Sequence, residues 1–150
     1  MLSSLRKLSL YRVMIDDHML KNLVAGCPLI EYLHVAQCSP RLRNIVLFGL
    51  SRLKEIKLGH GYRIERVDIE ALNVQLLSIS GLPLRLIDFA YYKNLKSMRL
   101  TSVSITDERF CNHISRLPLL EDLRLIRCSK LTCQNFKPTK IDQVKREDFV

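Results

Sequence analysis

The stretch from Leu117 to Leu125 reads LPLLEDLRL, and its aliphatic spacing decides the fold. A leucine stands at position 120, and leucines follow three and five positions later. The same spacing returns five more times, in registers that begin at Leu5, Ile30, Leu53, Val74 and Leu95. The six starting positions lie 25, 23, 21, 21 and 25 residues apart. Such regular self-similarity predicts a repeat architecture.

A period of roughly 20–29 residues with one short strand per repeat is typical of leucine-rich repeats. We therefore expect an α/β fold, a ribonuclease-inhibitor-like solenoid whose strands form a parallel concave sheet. The repeat domain is predicted over residues 1–133. Residues 134–150 are predicted to be a basic C-terminal tail that is poorly ordered.

The two end repeats carry helix signals on the convex side. Near the N-terminus, Asp16 or Asp17 can cap a helix that Gly26 and Pro28 then end. Near the other end, acidic residues follow Ile105, and Pro118 stops the helix. The predicted buried stripes are Met19, Leu20, Leu23 and Val24 in the first helix, and Phe110, Ile114 and Leu117 in the second.

The middle of the chain carries a second set of registers halfway between the main ones. They begin at Leu42, Ile64 and Leu84. Connections of about ten residues leave little room for a helix and its two loops, because three helical turns already need about eleven residues. We therefore predict extended or short-turn segments on the convex side here, with helices only at the ends.

Side chains alternate between the two faces of a strand, so residues between the inward aliphatics should line the concave face. Tyr11 and Tyr32 are expected to lie close together there, on adjacent strands, and aromatic residues are enriched at interface hot spots. The cations should make this face mildly positive. The predicted partner-binding residues are Lys7, Tyr11, Tyr32, His34, Glu55, Lys57, Arg99, Asp122 and Arg124.

The five cysteines are an odd number and are scattered, unlike the framework of a small secreted domain. Cys38 and Cys128 each fall eight residues after the start of a register, where leucine-rich repeats take Asn or Cys. There the side chain turns inward to meet backbone groups. The alternative is a zinc site formed by Cys128, Cys133 and His113, although the spacing is loose.

The net charge of +9 raises the question of nucleic acid binding. The cations are spread along the chain, and no recognition helix or aromatic platform accompanies them. Catalytic, cofactor-binding and metal-binding residues are not predicted, and neither a phosphate-binding loop nor a nucleophile at a family spacing is found. No segment is long and apolar enough to span a membrane, and no secretory signal is recognised. We expect a non-enzymatic protein in the cytoplasm or the nucleus.

The sequence resembles the repeat region of plant F-box/leucine-rich-repeat proteins. The most specific forms are Cys-Pro-x-Ile-Glu-x-Leu at residues 27–33 and Leu-Pro-x-Leu-Glu-x-Leu at residues 117–123. The resemblance covers about residues 1–133. It implies that the repeats hold a protein target for ubiquitination, while an N-terminal F-box binds a Skp-type adaptor of a cullin ubiquitin ligase. The other blocks that carry it are Leu5–Leu10, Leu53–Ile56, Asn94–Leu100 and Ile105–Asp107.

The sequence departs from this family's pattern in one respect, since Met1 stands almost directly before the first predicted strand and no F-box is recognised in the residues given. No residue is therefore expected to bind the adaptor, and the Skp–cullin machinery is a partner only if an F-box lies upstream. A fragment, a truncated paralogue and an independent repeat protein all fit. The expected function is target recognition by a protein-interaction module. The alternatives are a stand-alone leucine-rich-repeat scaffold and a basic nucleic-acid-binding repeat protein.

Overall fold

The computed structural model describes residues 2–61, residues 63–131 and the strand at 143–147. Short 3-10 turns are found at Leu84–Leu86 and Phe89–Tyr91. The strands and helices, in chain order, are β1 (Lys7–Tyr11), α1 (Asp17–Ala25), β2 (Tyr32–Ala36), β3 (Asn44–Leu47), β4 (Glu55–Leu58), β5 (Arg66–Ile69), β6 (Leu76–Ser80), β7 (Ser97–Thr101), α2 (Asp107–Ile114), β8 (Asp122–Ile126) and β9 (Gln143–Glu147).

The main registers of the sequence form one large sheet with the strand order β1-β2-β4-β6-β7-β8-β9. Every neighbouring pair in it is parallel. The second and third aliphatic residues of each register lie in the strand and point inward, while the first lies just before it and is also buried in most repeats. The prediction of six parallel strands, one per repeat, is therefore confirmed.

The halfway registers form a second, smaller sheet. Strands β3 and β5 pair in parallel, and a single bridge from Val67 to Ile87 extends the pairing to the next repeat. Between β2 and β6 the chain thus alternates between the large and the small sheet. The predicted extended segments in the middle of the chain are confirmed, because each connection has room for a strand but not for a helix of several turns.

Helices occur at the two ends, as predicted. In α1 the Asp16 carboxylate accepts a hydrogen bond from the Met19 backbone N–H at 2.8 Å, which identifies Asp16 as the N-cap. Leu20 and Val24 are buried as predicted, but Met19 is 51% exposed, so its assignment to the buried stripe is wrong. Helix α2 begins after Thr106 and buries Phe110, with Asp107 and Glu108 in its first turn.

One contiguous apolar core runs from Leu8 to Leu131 and joins strands β1 to β8 and the two helices. It includes inward residues of both sheets, such as Leu33 and Ile45, together with Phe110 of α2.

Strand β9 pairs in parallel with β8 inside the predicted tail, where no element was expected. The remaining tail residues lie outside the described part of the chain. Within the described ranges, no helix is long and apolar enough to cross a membrane.

Candidate functional site

The outward face of the large sheet carries the predicted partner-binding residues. The burial pattern alternates along the strands: in β1, for example, Leu8 and Leu10 are buried while Lys7, Ser9 and Tyr11 are exposed. Strand geometry explains this, since successive side chains point to opposite faces. All nine predicted residues stand at outward positions of β1, β2, β4, β7 and β8.

Parallel pairing in register aligns these outward residues into rows that cross the strands. Two of these rows contain eight of the nine predicted partner-binding residues. The first row is Lys7, Tyr32, Glu55, Leu76, Ser97 and Asp122, and the middle row is Ser9, His34, Lys57, Ser78, Arg99 and Arg124.

The two rows differ in charge. The middle row contains Lys57, Arg99 and Arg124, whereas the first row contains Glu55 and Asp122. Among the described residues, none of these five side chains belongs to a salt bridge. The face therefore carries both cations and acids that lie outside the salt bridges of the described residues.

Five of the predicted residues also share a shallow pocket of about 110 Å³. The same pocket is lined by Leu76, Ser78 and Ser97, which occupy the same two rows but were not among the predicted partner-binding residues. Alternation along the strands already predicts that these three residues face outward, but their small or apolar side chains gave no chemical reason to assign them to partner binding. The five shared residues are Glu55, Lys57, Arg99, Asp122 and Arg124.

Strand β2 contributes a histidine to the middle row. The imidazole Nδ1 of His34 lies 2.9 Å from the Ser9 hydroxyl, and its ring centroid lies 6.5 Å from that of Tyr32. Burial lowers the pKa of His34, and the positive charge of Lys57 lowers it further. Burial raises the pKa of the Tyr32 hydroxyl, and the Glu55 carboxylate adds to this shift. Both effects favour the neutral form of the His34 imidazole.

The predicted proximity of Tyr11 and Tyr32 is wrong. The register places Tyr32 opposite Lys7 and Tyr11 opposite Ala36. The two tyrosines are therefore four positions apart along the strand direction, about 13 Å at 3.3 Å per residue. Tyr11 instead lies under the Arg12 guanidinium, whose carbon is 5.6 Å from the ring centroid. Adjacent strands do not bring together residues at opposite ends of those strands.

The two cysteines predicted to turn inward do so. The Cys38 thiol lies 3.6 Å from the carbonyl oxygens of Leu10 and Ala36. The Cys128 thiol lies 3.5 Å from the Leu100 carbonyl oxygen and 3.6 Å from that of Ile126. Leu10 and Leu100 are equivalent, because each is the third aliphatic residue of its register. Both thiols thus contact the backbone of the preceding strand and of their own strand, as the repeat pattern predicts.

The zinc alternative stays a prediction, because the structure describes only two of its three residues. His113 packs on Phe89 with a centroid distance of 5.0 Å, and Cys133 lies outside the described residues. No cluster of three or more His, Cys, Asp or Glu side chains able to hold a metal ion is found in the part of the chain that the structure describes.

An open groove of about 440 Å³ at the strand-entry edge of the large sheet was not predicted. Its walls include Arg52, Lys54 and Lys96, and the amide groups of Asn73 and Asn94 each donate to a carbonyl of the preceding repeat. Asn73 donates to the Ser51 carbonyl at 2.7 Å. The recurring Asn just before an inward aliphatic residue is the signal that could have revealed this structural ladder.

A family described as "FBD-associated F-box protein At5g56370, LRR repeats" matches residues 1–79 of the chain. The match covers 79 of 150 residues and spans strands β1 to β5 and most of β6. It confirms the resemblance drawn from the sequence. No curated protein matches the chain.

Proposed function

Because the chain belongs to the leucine-rich-repeat family of FBD-associated F-box proteins, we propose that it holds a protein target on the outward face of the large sheet and contributes no chemistry of its own. The observation that carries this proposal is the pocket formed by the first and middle rows, where five charged side chains converge without a salt bridge among the described residues. Unpaired charges on a rigid strand scaffold suit specific recognition.

The face is proposed to be the concave surface of a ribonuclease-inhibitor-like solenoid. In-register parallel pairing of one strand per repeat supports this geometry. The small sheet and the two helices would then form the wider convex side. Repeat proteins of this kind use extended concave surfaces to bind their partners.

The target is proposed to be a substrate of a ubiquitin ligase, which the F-box in the family's description supports. The Skp-type adaptor would be bound by an F-box, and no residue of this sequence is assigned to that contact. Reading the in-frame coding sequence upstream of Met1 tests this part. An F-box there would support a ligase receptor, and an in-frame stop codon close upstream would leave a stand-alone interaction scaffold.

The binding face itself is tested with a displayed library of random peptides, selected on the immobilised full chain. We expect the enriched peptides to lose binding to a variant with Tyr32, His34 and Arg99 replaced by Ala. A matched control replaces the exposed residues Arg41, Phe48 and Arg85, which lie away from this face, and should keep the peptides bound. Peptides that bind both variants equally would place recognition on another surface.

A further inference from the structure

The middle row places two arginines side by side. Arg99 on β7 is the register partner of Arg124 on β8, so their Cα atoms are one strand spacing apart, about 4.8 Å. Like charges directly opposite each other destabilise a sheet. Neither side chain has a salt bridge within the described residues. An anion held between the two guanidinium groups would remove this repulsion.

Lys57 lies farther along the same row. Going across the sheet, β4 carries Lys57, β6 carries Ser78 and β7 carries Arg99. Lys57 is therefore about two and a half strand spacings, or about 12 Å, from the midpoint of the two arginines. Ser78 lies between these two positive positions, and its short side chain is only 8% exposed.

The neighbouring first row decides what kind of anion fits. Glu55 stands two residues before Lys57, and Asp122 stands two residues before Arg124. A polyanion such as a nucleic acid backbone would be repelled by these carboxylates. A peptide carries isolated acidic side chains together with backbone N–H groups, which carboxylates can accept.

Two buried atoms of the pocket have no hydrogen-bond partner among the residues that the structure describes. They are Oδ1 of Asp122, an acceptor, and Nε of Arg124, a donor. The other Asp122 oxygen accepts a bond of 3.3 Å from the Ser97 hydroxyl. A buried polar atom without a partner costs free energy. After a rotation of either side chain, this acceptor and this donor would both bond to one peptide group, which supplies an N–H and a carbonyl oxygen.

We propose that this pocket binds an extended peptide segment that crosses the strands and carries two acidic side chains four residues apart. In an extended chain, residues i and i+4 lie about 13 Å apart and point to the same side. One carboxylate would lie between Arg99 and Arg124, and the other would reach Lys57. Residue i+2 would face Ser78 and Leu76, which favours a small apolar side chain. This inference rests on the proposed function, because it specifies the target segment for the same face.

The test uses short synthetic peptides with a fluorescent label, titrated with the full chain and followed by fluorescence anisotropy. The first peptide has Glu at i and i+4 around a Val, the second has Gln at both positions, and the third has Glu at i and i+2. We expect the first to bind about tenfold or more tightly than either of the others, because charge-assisted hydrogen bonds are the stronger kind.

Two variants locate the binding site. Arg99→Gln with Arg124→Gln, and separately Lys57→Gln, should each weaken binding of the first peptide, because each removes the cations that face one of its two carboxylates. Lys57 is exposed, so its replacement is a safeguard if the double variant folds poorly. Lys96→Gln is the matched control, since this exposed cation lies in the groove at the sheet edge and outside the pocket. It should leave the affinity unchanged.

Equal binding of the Glu and Gln peptides, no detectable binding, or insensitivity to Lys57→Gln would overturn the inference. A single-stranded oligonucleotide that displaced the first peptide from the pocket with higher affinity would overturn it too. The library selection separates the two proposals. Enriched peptides that need this face but lack the acidic pair would refute only the acidic motif, whereas peptides indifferent to the face would refute the proposed function.

Discussion

The Asp17 carboxylate of helix α1 is hydrogen-bonded to Asn44, the first residue of strand β3 in the small sheet. Oδ1 of Asp17 accepts the Asn44 backbone N–H at 3.0 Å, and Oδ2 accepts the Asn44 side-chain Nδ2 at 2.8 Å. The Arg43 backbone N–H donates to the same Oδ1 at 2.7 Å. One carboxylate at the start of a helix thus satisfies the donors at the start of the next strand, β3.

Replacement of Asp17 by Ala should lower the free energy of unfolding by about 1–2 kcal/mol, because three donors lose their acceptor and water replaces it only in part. Urea denaturation at neutral pH measures this change. Glu121→Gln is the control, since this exposed acidic residue stands outside the contact and its replacement should have little effect. Equal stability of the Asp17 variant and the wild type would contradict the role.

The same carboxylate should make stability depend on pH. Burial alone would raise the pKa of Asp17, but the hydrogen bonds from Asn44 and Arg43 and the Arg43 charge outweigh it and lower the pKa below 3.8. The stabilisation is therefore present above pH 3.8 and is lost as the pH falls through the folded-state pKa. We expect the Asp17→Ala variant to lose less stability than the wild type over this acidic range, measured by denaturation at a series of pH values.

Ser102→Gly should raise the free energy of unfolding by about 0.5–1 kcal/mol. Ser102 follows strand β7 with φ of +53°, a left-handed conformation that costs an L-residue about 1–2 kcal/mol, offset in part by the extra chain entropy of glycine. Its backbone N–H bond to the Ile126 carbonyl, 2.9 Å long, is kept. Thermal unfolding followed by circular dichroism measures the change. In Ser115→Gly, where φ is −59°, the same substitution should instead destabilise.

Lys57→Gln should raise the pKa of His34 toward 6.5 without restoring it fully. Burial is the larger cause of the lowered value and remains, while the charge of Lys57 is the smaller cause and is removed. An NMR titration of the imidazole proton signals gives the pKa directly. Lys54→Gln is the control, because Lys54 lies at the sheet edge, 3.9 Å from Glu31. A His34 pKa unchanged by Lys57→Gln would argue against their proximity.

Tyr92→Phe should destabilise the fold by about 1–3 kcal/mol, although it removes only one oxygen atom. Tyr92 is 2% exposed, and its hydroxyl donates a hydrogen bond of 3.0 Å to the Ile69 carbonyl. The substitution removes one hydrogen bond from that carbonyl in the interior of the protein. Urea denaturation is the measurement. Tyr11→Phe, at a residue that is 52% exposed, should change stability by less than about 0.5 kcal/mol.

Local periodicity predicted most of the architecture because it depends on neighbouring residues alone. The three-and-five spacing identified which side chains of each strand face the core, and the halfway registers identified the small sheet. Acidic caps and proline or glycine stops placed the two helices, although Met19 was assigned to the wrong side. Inward cysteines followed from their fixed distance to the strand. Strand β9 and the groove at the sheet edge were not predicted, although the recurring Asn just before an inward aliphatic residue was a signal for the groove.

The sequence by itself determined which residues are outward and that the strands repeat, since alternation is a property of each strand's own backbone. Only the tertiary structure decided which outward residues are neighbours. Pairing in register depends on loops of more than ten residues, and a shift of two positions would move every outward side chain into a different row. For this reason Arg99 and Arg124, 25 positions apart in sequence, stand side by side, while Tyr11 and Tyr32 lie at opposite ends of adjacent strands.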